Sequence, residues 1–303
     1  MIECYRGTAN SWECDENDHL NVRFFLDKAA QASEHLLHAT GFGRARRAAS
    51  GLEAHTSDRH IRYHQEQRRG AGVYIVSGIL FATPGSLRIL HEMRSIRSDK
   101  LAATFVETVN CVIAANAQPA EWPSDLLERA SRFTVEMSAN AAPRGVELAP
   151  PRAMPTLDEA TSLNMPQIYR GIVDESQCGR NGLAPARLYL GIIADAIPRF
   201  GPAAVASSEK PKARMGSAVL EQRLVHRGIL QANDLVICHA GVKAVTEKTM
   251  RTIIWLFNVE TGDCLLSVDS IAINLDLERR RAVAMPEDRL TFMKSIALPS
   301  LAV

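Results

Sequence analysis

The chain repeats its own beginning half a chain later, and that repeat limits the folds open to it. Tyr5-Arg6-Gly7 returns as Tyr169-Arg170-Gly171, an offset of 164 residues. Without a gap, Cys14, Asn17, Arg23, Leu26, Ala30 and Ala32 then meet Cys178, Asn181, Arg187, Leu190, Ala194 and Ala196. These are nine identities in the 29 positions from 5 to 33, where average composition gives about two. A period this long describes two copies of one domain and excludes a solenoid of short units. A chain of 303 residues gives each copy about 150, enough to bury a core of its own.

Both copies share one order of local signals. In the first, Tyr5 to Cys14 reads as a strand and Asn21 to about Thr40 as a helix closed by Gly41 or Gly43. Phe24, Phe25, Ala29, Ala32, Leu36 and Leu37 recur at helical spacing and predict its buried face. A basic loop (Arg44, Arg46, Arg47) leads to strand-like runs at His60 to Arg68, Gly72 to Ala82, Leu87 to Ile96 and Leu101 to Ala114. The second copy predicts a strand at Ile168 to Gln177 and a helix opened by Pro185 that runs to about Phe200, before Gly201-Pro202. Strands follow at Val219 to His226, Asp234 to Val245, Thr249 to Val259 and Cys264 to Asn274, with Thr261-Gly262-Asp263 as a turn. Between the copies, residues 116–166 hold seven of the 14 prolines and one short helical stretch, Ser124 to Arg132. The expected domains are therefore 1–115, a proline-rich connector 116–166, and 167–303. Each is α+β, one long helix with an antiparallel sheet.

Chemistry concentrates just before the first helix. Asp15, Asn17, His19 and Asn21 stand at alternate positions there. In the second copy Asp15 meets Gly179, His19 meets Leu183 and Asn21 meets Pro185, so the repeat kept its frame and lost its ionisable groups. Asp and Asn are also the preferred turn and helix-cap residues, which explains one or two of the four without a catalytic role and leaves His19 unexplained.

A strand followed by Asp-x-Asn-x-His-Leu-Asn and a long helix resembles the hot-dog fold thioesterases. These are the 4-hydroxybenzoyl-CoA thioesterase-like enzymes, and especially the acyl-ACP thioesterases, which carry two hot-dogs in one chain. The match rests on Asp15, Asn17, His19, Leu20 and Asn21, with Arg23 and Phe25 beyond. The resemblance implies two tandem hot-dog domains, each a long helix wrapped by a curved antiparallel sheet, the first with the intact motif. It implies release of an acyl group from coenzyme A or acyl carrier protein, with Asp15 as nucleophile or general base. Asn17 and His19 would position water or carbonyl, and exposed N–H groups at the helix start would polarise the carbonyl. The substrate-binding candidates are Asn21, His64, Arg68 and Arg69. Arg44, Arg46 and Arg47 join the last two as cations for phosphates or an acidic carrier. Hot-dog domains usually pair through their sheets, so the second copy is expected to serve as the first one's internal partner, and homo-oligomers of tandem chains are allowed. In plant acyl-ACP thioesterases the motif lies in the second copy, whereas here it lies in the first. Only one Asn follows His19-Leu20, where the family has two.

Two other functions fit the same fold. The R-specific enoyl-CoA hydratases resemble it with Asp-x-Asn-Pro-x-His, which places His five residues after Asp; here His19 is four after Asp15 and no proline follows Asn17. A non-catalytic acyl- or CoA-binding module would have no need of the polar cluster. His60 and Glu66 are weaker candidates near the site, with packing and solvated roles the simpler reading. No His or Asp pair shows zinc-site spacing, so neither metal nor cofactor is expected. A formal charge of +1 argues against a general nucleic-acid binder. No apolar run reaches membrane-spanning length. Met1-Ile2-Glu3-Cys4 opens without a signal-peptide pattern. The six scattered cysteines read as buried small residues, Cys14 and Cys178 included, and the expected location is cytoplasmic.

Overall fold

In the computed structural model the chain divides into two compact units, Met1–Pro143 and Arg144–Val303. The described residues are 1–179, 181–196, 215–276, 278–279 and 281–303. The predicted connector is shared, residues 116–143 going with the first unit and 144–166 with the second.

The first unit opens with β1 (Ile2–Thr8), a 3-10 turn (Ser11–Glu13) and α1 (Val22–Ala39). The strand predicted to reach Cys14 stops at Thr8, because Asn10 turns the chain and its carbonyl accepts the Glu13 N–H. Asn21 caps α1, its side-chain oxygen accepting the Arg23 N–H at 3.0 Å. Phe25, Leu26, Ala29, Ala32, Leu36 and Leu37 form the buried stripe, with Leu26 in place of the predicted Phe24. Each large side chain buried there contributes about 1.5–3 kcal/mol. Gly41, at φ +88°, ends the helix in a conformation that favours glycine.

Arg44–Ser50, expected as a loop, is a short helix, α2, closed by Gly51 at φ +66°. Four long strands follow: β2 (Leu52–Tyr63), β3 (Gly72–Ala82), β4 (Ser86–Ser95) and β5 (Leu101–Ile113). β2 lies earlier than the predicted His60 to Arg68, since residues 64–71 form a loop with other partners. A short helix α3 (Ser124–Ser131) completes the unit. Its sheet is antiparallel in the order β1-β3-β4-β5-β2, and α1 packs on β1, β3 and β4.

The second unit has α4 (Leu157–Ser162), β6 (Gln167–Ile172), a 3-10 turn (Glu175–Gln177) and α5 (Ala186–Ala196). Then come β7 (Met215–His226), β8 (Leu235–Val245), β9 (Thr249–Asn258) and β10 (Cys264–Asp276), a two-residue β11 (Arg281–Ala282) and α6 (Glu287–Ser295). Its antiparallel order is β6-β8-β9-β10-β7, element for element that of the first unit, with β11 added on β10. The predicted end of its helix near Phe200 and Gly201-Pro202 lies outside the described residues.

The repeated Tyr-Arg-Gly has a steric cause. In each unit the tyrosine ring lies across the glycine two residues on, and a Cβ on Gly7 or Gly171 would collide with the hydroxyl of Tyr5 or Tyr169. The same tyrosines hold equivalent places in the two sheets, Tyr5 opposite Ile75 and Tyr169 opposite Cys238.

Candidate active site

The motif residues form a loop slung between the first 3-10 turn and α1. The Asp15 N–H donates to the His19 carbonyl at 2.8 Å and the Asp18 N–H to the Asp15 carbonyl at 3.0 Å. Asp18 sits at φ +63°, the left-handed corner of this turn. The Asp15 carboxylate works inside the loop. Its Oδ1 accepts the N–H groups of Asn17 at 2.9 Å and His19 at 3.1 Å. The capping role weighed from sequence is therefore present for one oxygen of Asp15. Its other oxygen takes no hydrogen bond among the described residues, and the side chain is half-buried.

Residues 64–71 run back along this loop. His19 faces Arg68 in an antiparallel bridge, and the Leu20 N–H donates to the Gln67 carbonyl at 2.7 Å. His19 is buried, its Nε2 lying 3.7 Å from Oε2 of Glu66. Glu66, expected as a solvated strand residue, is thus the carboxylate beside the motif histidine. Arg68 and Arg69 are exposed, and Arg69 Nε is 3.4 Å from Asp18. His64 packs farther along, its Nε2 3.4 Å from the Thr104 hydroxyl. His60 lies buried within β2.

Two expectations need correction. The first-turn N–H groups of α1 are not all exposed for a carbonyl: Asn21 occupies that of Arg23, while the N–H of Val22, first in the helix, has no intrahelical acceptor. Two of the three arginines of α2 also have carboxylate partners, while Arg44 is exposed. Arg47 pairs with Glu34 at 2.6 Å and Glu53 at 2.8 Å, and Arg46 with Asp125 at 2.9 Å. Burial and the carboxylates of Asp18 and Asp15 push the Cys14 thiol up, away from the thiolate form.

The described residues of the second unit repeat the backbone hydrogen bonds of this loop. Gly179 donates to the Leu183 carbonyl at 2.9 Å and Gly182 to the Gly179 carbonyl at 2.9 Å. Gly182, at φ +75°, takes the place of Asp18. The Ala184 N–H reaches Leu230 as that of Leu20 reaches Gln67. Here Asn181, the counterpart of Asn17, accepts the Leu183 N–H at 3.2 Å. In the first unit Asp15 has that duty, and the Asn17 side chain makes no hydrogen bond among the described residues.

Two further buried polar groups lie in the first unit. One is the pair Glu13–Lys28. The other lies under α1, where Ser77 Oγ is 2.7 Å from His91 Nδ1 and Ser33 Oγ 3.0 Å from His91 Nε2. Glu107 lies 3.4 Å from His91 and 3.2 Å from Arg59. Burial opposes the charge on Glu107, yet Arg59 and His91 hold its carboxyl well below the usual range. Serine, histidine and carboxylate suggest a nucleophilic triad, but Ser77, His91 and Glu107 have no exposed surface, so no substrate reaches them. Cavities of about 310 and 570 Å³ lie along β3 beside residues 127–137 and contain no residue of the 14–21 loop.

Residues 10–130 match the model of the thioesterase-like superfamily. The first unit has the hot-dog fold. The whole chain shares the double hot-dog fold of solved thioesterases. A protein assigned as an oleoyl thioesterase from Lactobacillus plantarum superposes with TM-score 0.68 over 93% of this chain and 96% of that one, at 13% identity. The 12:0-ACP thioesterase from Umbellularia californica gives 0.67 over 88% and 92%, at 12% identity. An acyl-ACP thioesterase from Bacteroides thetaiotaomicron gives 0.65 over 88% and 96%, also at 12%. No curated protein sequence matches the chain. The Asp15 loop falls inside the segment that the thioesterase-like model covers. No described helix is long and apolar enough to cross a membrane.

Proposed function

We propose that the chain hydrolyses acyl thioesters of coenzyme A or an acyl carrier protein, from a site built on the Asp15 loop. One observation carries this reading. The second unit folds the same loop with Gly179 and Leu183 where the first has Asp15 and His19, so the fold has no need of the carboxylate and imidazole. Groups that a fold can do without, gathered at a helix start inside a thioesterase-like domain, fit chemistry on a carbonyl.

Asp15 acts through the oxygen that its own turn leaves unused. As a general base it takes a proton from water while the water oxygen adds to the carbonyl carbon; the C–S bond then breaks and the thiolate leaves. As a nucleophile its oxygen forms an acyl anhydride, the thiolate leaves, and water cleaves the anhydride. The Val22 N–H polarises the carbonyl, supported by the α1 dipole. Asn17 orients water or substrate, and His19, beside Glu66, returns a proton to the thiolate. Asn21, His64, Arg68 and Arg69 contact the substrate, the exposed arginines meeting phosphate or an acidic carrier surface. The acyl-ACP and oleoyl specificities of the structural neighbours support an acyl thioester. Six free cysteines fit a reducing, cytoplasmic setting.

The test is thiol release from a panel of acyl-CoA and acyl carrier protein thioesters, with crotonyl-CoA included. Turnover of a saturated acyl thioester is expected. Hydration of crotonyl-CoA without thiol release would replace the reading with a hydratase, and binding without turnover would leave an acyl-binding module.

A further inference from the structure

Beneath the Asp15 loop lies a buried ion pair with no counterpart in the second unit. The Lys28 ammonium donates to both Glu13 oxygens, each at 2.8 Å, with side-chain exposures of 2% and 9%. The same carboxylate accepts the Asn10 N–H at 2.8 Å, and the Glu13 carbonyl accepts the Asn21 N–H at 2.9 Å. Lys28 also lies 5.5 Å over the Tyr5 ring. Glu13 thus touches the start of the 3-10 turn, the cap of α1 and a residue on the second turn of α1. Both ends of the 14–20 loop are fixed through one residue.

The second unit supplies the control. At the same offset, Glu13 becomes Gln177 and Lys28 becomes Ile192. Gln177 is exposed and Ile192 is buried. Yet the turn forms there, with Gln177 donating to Asp174 at 3.0 Å as Glu13 does to Asn10 at 3.1 Å. A desolvated ion pair is costly, and apolar replacement of both partners is often neutral or stabilising. Its presence only beside the intact motif calls for a reason other than fold stability.

We propose that Glu13 and Lys28 are positioning residues, which clamp the Asp15 loop to α1 and hold Asp15 and His19 in reacting geometry. The clamp rests on the hydrolase reading for its purpose. The test copies the second unit: E13Q/K28I in the full-length chain, measured by amide hydrogen exchange of residues 14–21, by thermal melting, and by thiol release. Exchange in that segment is expected to rise about tenfold while the melting temperature holds or rises. A displacement near 1 Å at a reacting group costs on the order of 100-fold, so kcat should fall about 10–100-fold with KM within about twofold. K28R, which keeps the charge, should recover part of kcat. Unchanged exchange in residues 14–21 overturns the clamp, as does a kcat that declines only in step with melting temperature. If the wild-type chain releases no thiol from any substrate, the hydrolase reading fails separately and exchange alone decides the clamp.

Discussion

Replacing Asp15 by Asn separates the two duties of this side chain. As an acceptor, Oδ1 holds the N–H groups of Asn17 and His19 at 2.9 and 3.1 Å. Asparagine keeps an oxygen there. A hydrogen bond to a charged acceptor is worth about 1.5–3 kcal/mol and a neutral one about 0.5–1.5. Asp15 is half-exposed, which screens that difference, so D15N should cost about 1 kcal/mol, or about 2–4 °C in melting temperature. As a base or nucleophile the carboxylate has no substitute, and its loss should reduce kcat by about 10²–10⁴-fold, equivalent to roughly 3–5 kcal/mol. The activity loss should therefore exceed the stability loss several-fold. D15G sharpens the comparison, because Gly179 occupies that place in the second unit while Asn181 takes the cap. Asn17 is placed to do the same, so D15G should melt close to D15N and be as inactive. The assay pairs thiol release with calorimetric melting on each variant. D15N turnover within about threefold of wild type would refute the chemical role and leave Asp15 a turn residue.

Other outcomes follow from the same contacts. N21A removes the cap on the Arg23 N–H and should cost about 1 kcal/mol, whereas N21D keeps an acceptor and should melt like wild type. E107Q removes the carboxylate that lies 3.2 Å from Arg59, whose side chain is 5% exposed; thermal melting should fall on the order of 10 °C, from a cost of about 3–5 kcal/mol. Because the folded state lowers the Glu107 pKa, its stabilising contribution is full above the unfolded carboxylate value and fades as pH drops below about 4. Wild type should accordingly lose more stability than E107Q between about pH 5 and 3 in acid titrations of melting. H19Q should lower kcat by about 10²-fold with little change in melting, since Leu183 holds the equivalent place without an imidazole; full turnover by H19Q would exclude a proton-transfer role.

What the sequence made legible was local or repeated. The α1 boundaries were set by Asn21 as cap and Gly41 as terminator, and Val22–Ala39 is what formed. Gly72–Ala82 is bounded by residues that punctuate strands, and it matched at both ends. Misreadings came where a local pattern competed with a distant contact. Arg46 and Arg47 look like part of a solvated loop until Glu34, Glu53 and Asp125 arrive from elsewhere. Gly43 and Gly51 flanking that stretch were the available helix-cap signal. The strand placed at His60 to Arg68 failed because residues 67 and 68 pair with 20 and 19, a partnership no alternation pattern encodes. Glu13 and Lys28 are too far apart in sequence for helical pairing, so Lys28 reads as a flaw in an apolar face.

The buried charges were nevertheless recoverable from the repeat, by asking which positions lose charge between copies. Counted from the paired tyrosines, Ser77 opposite His91 corresponds to Ala240 opposite Ile254. Arg59 opposite Glu107 corresponds to Gln222 opposite Ser270. Together with Glu13 and Lys28, these are positions where the first unit buries charge and the second, on the same frame, has neutral residues, while it buries Glu221, Arg223 and Asp269 elsewhere. Gly179 shows why the difference is more than decay. A Cβ there would come within 2.9 Å of the Asn181 side-chain oxygen that caps its loop. Asp at the first position and an engaged Asn at the third thus compete for one turn. In the first unit Asp15 takes the cap and leaves the Asn17 amide available; in the second, glycine yields and Asn181 closes the turn on itself. The loop backbone tolerates either solution, so the choice of Asp15 is a choice of which polar group remains for something outside the fold.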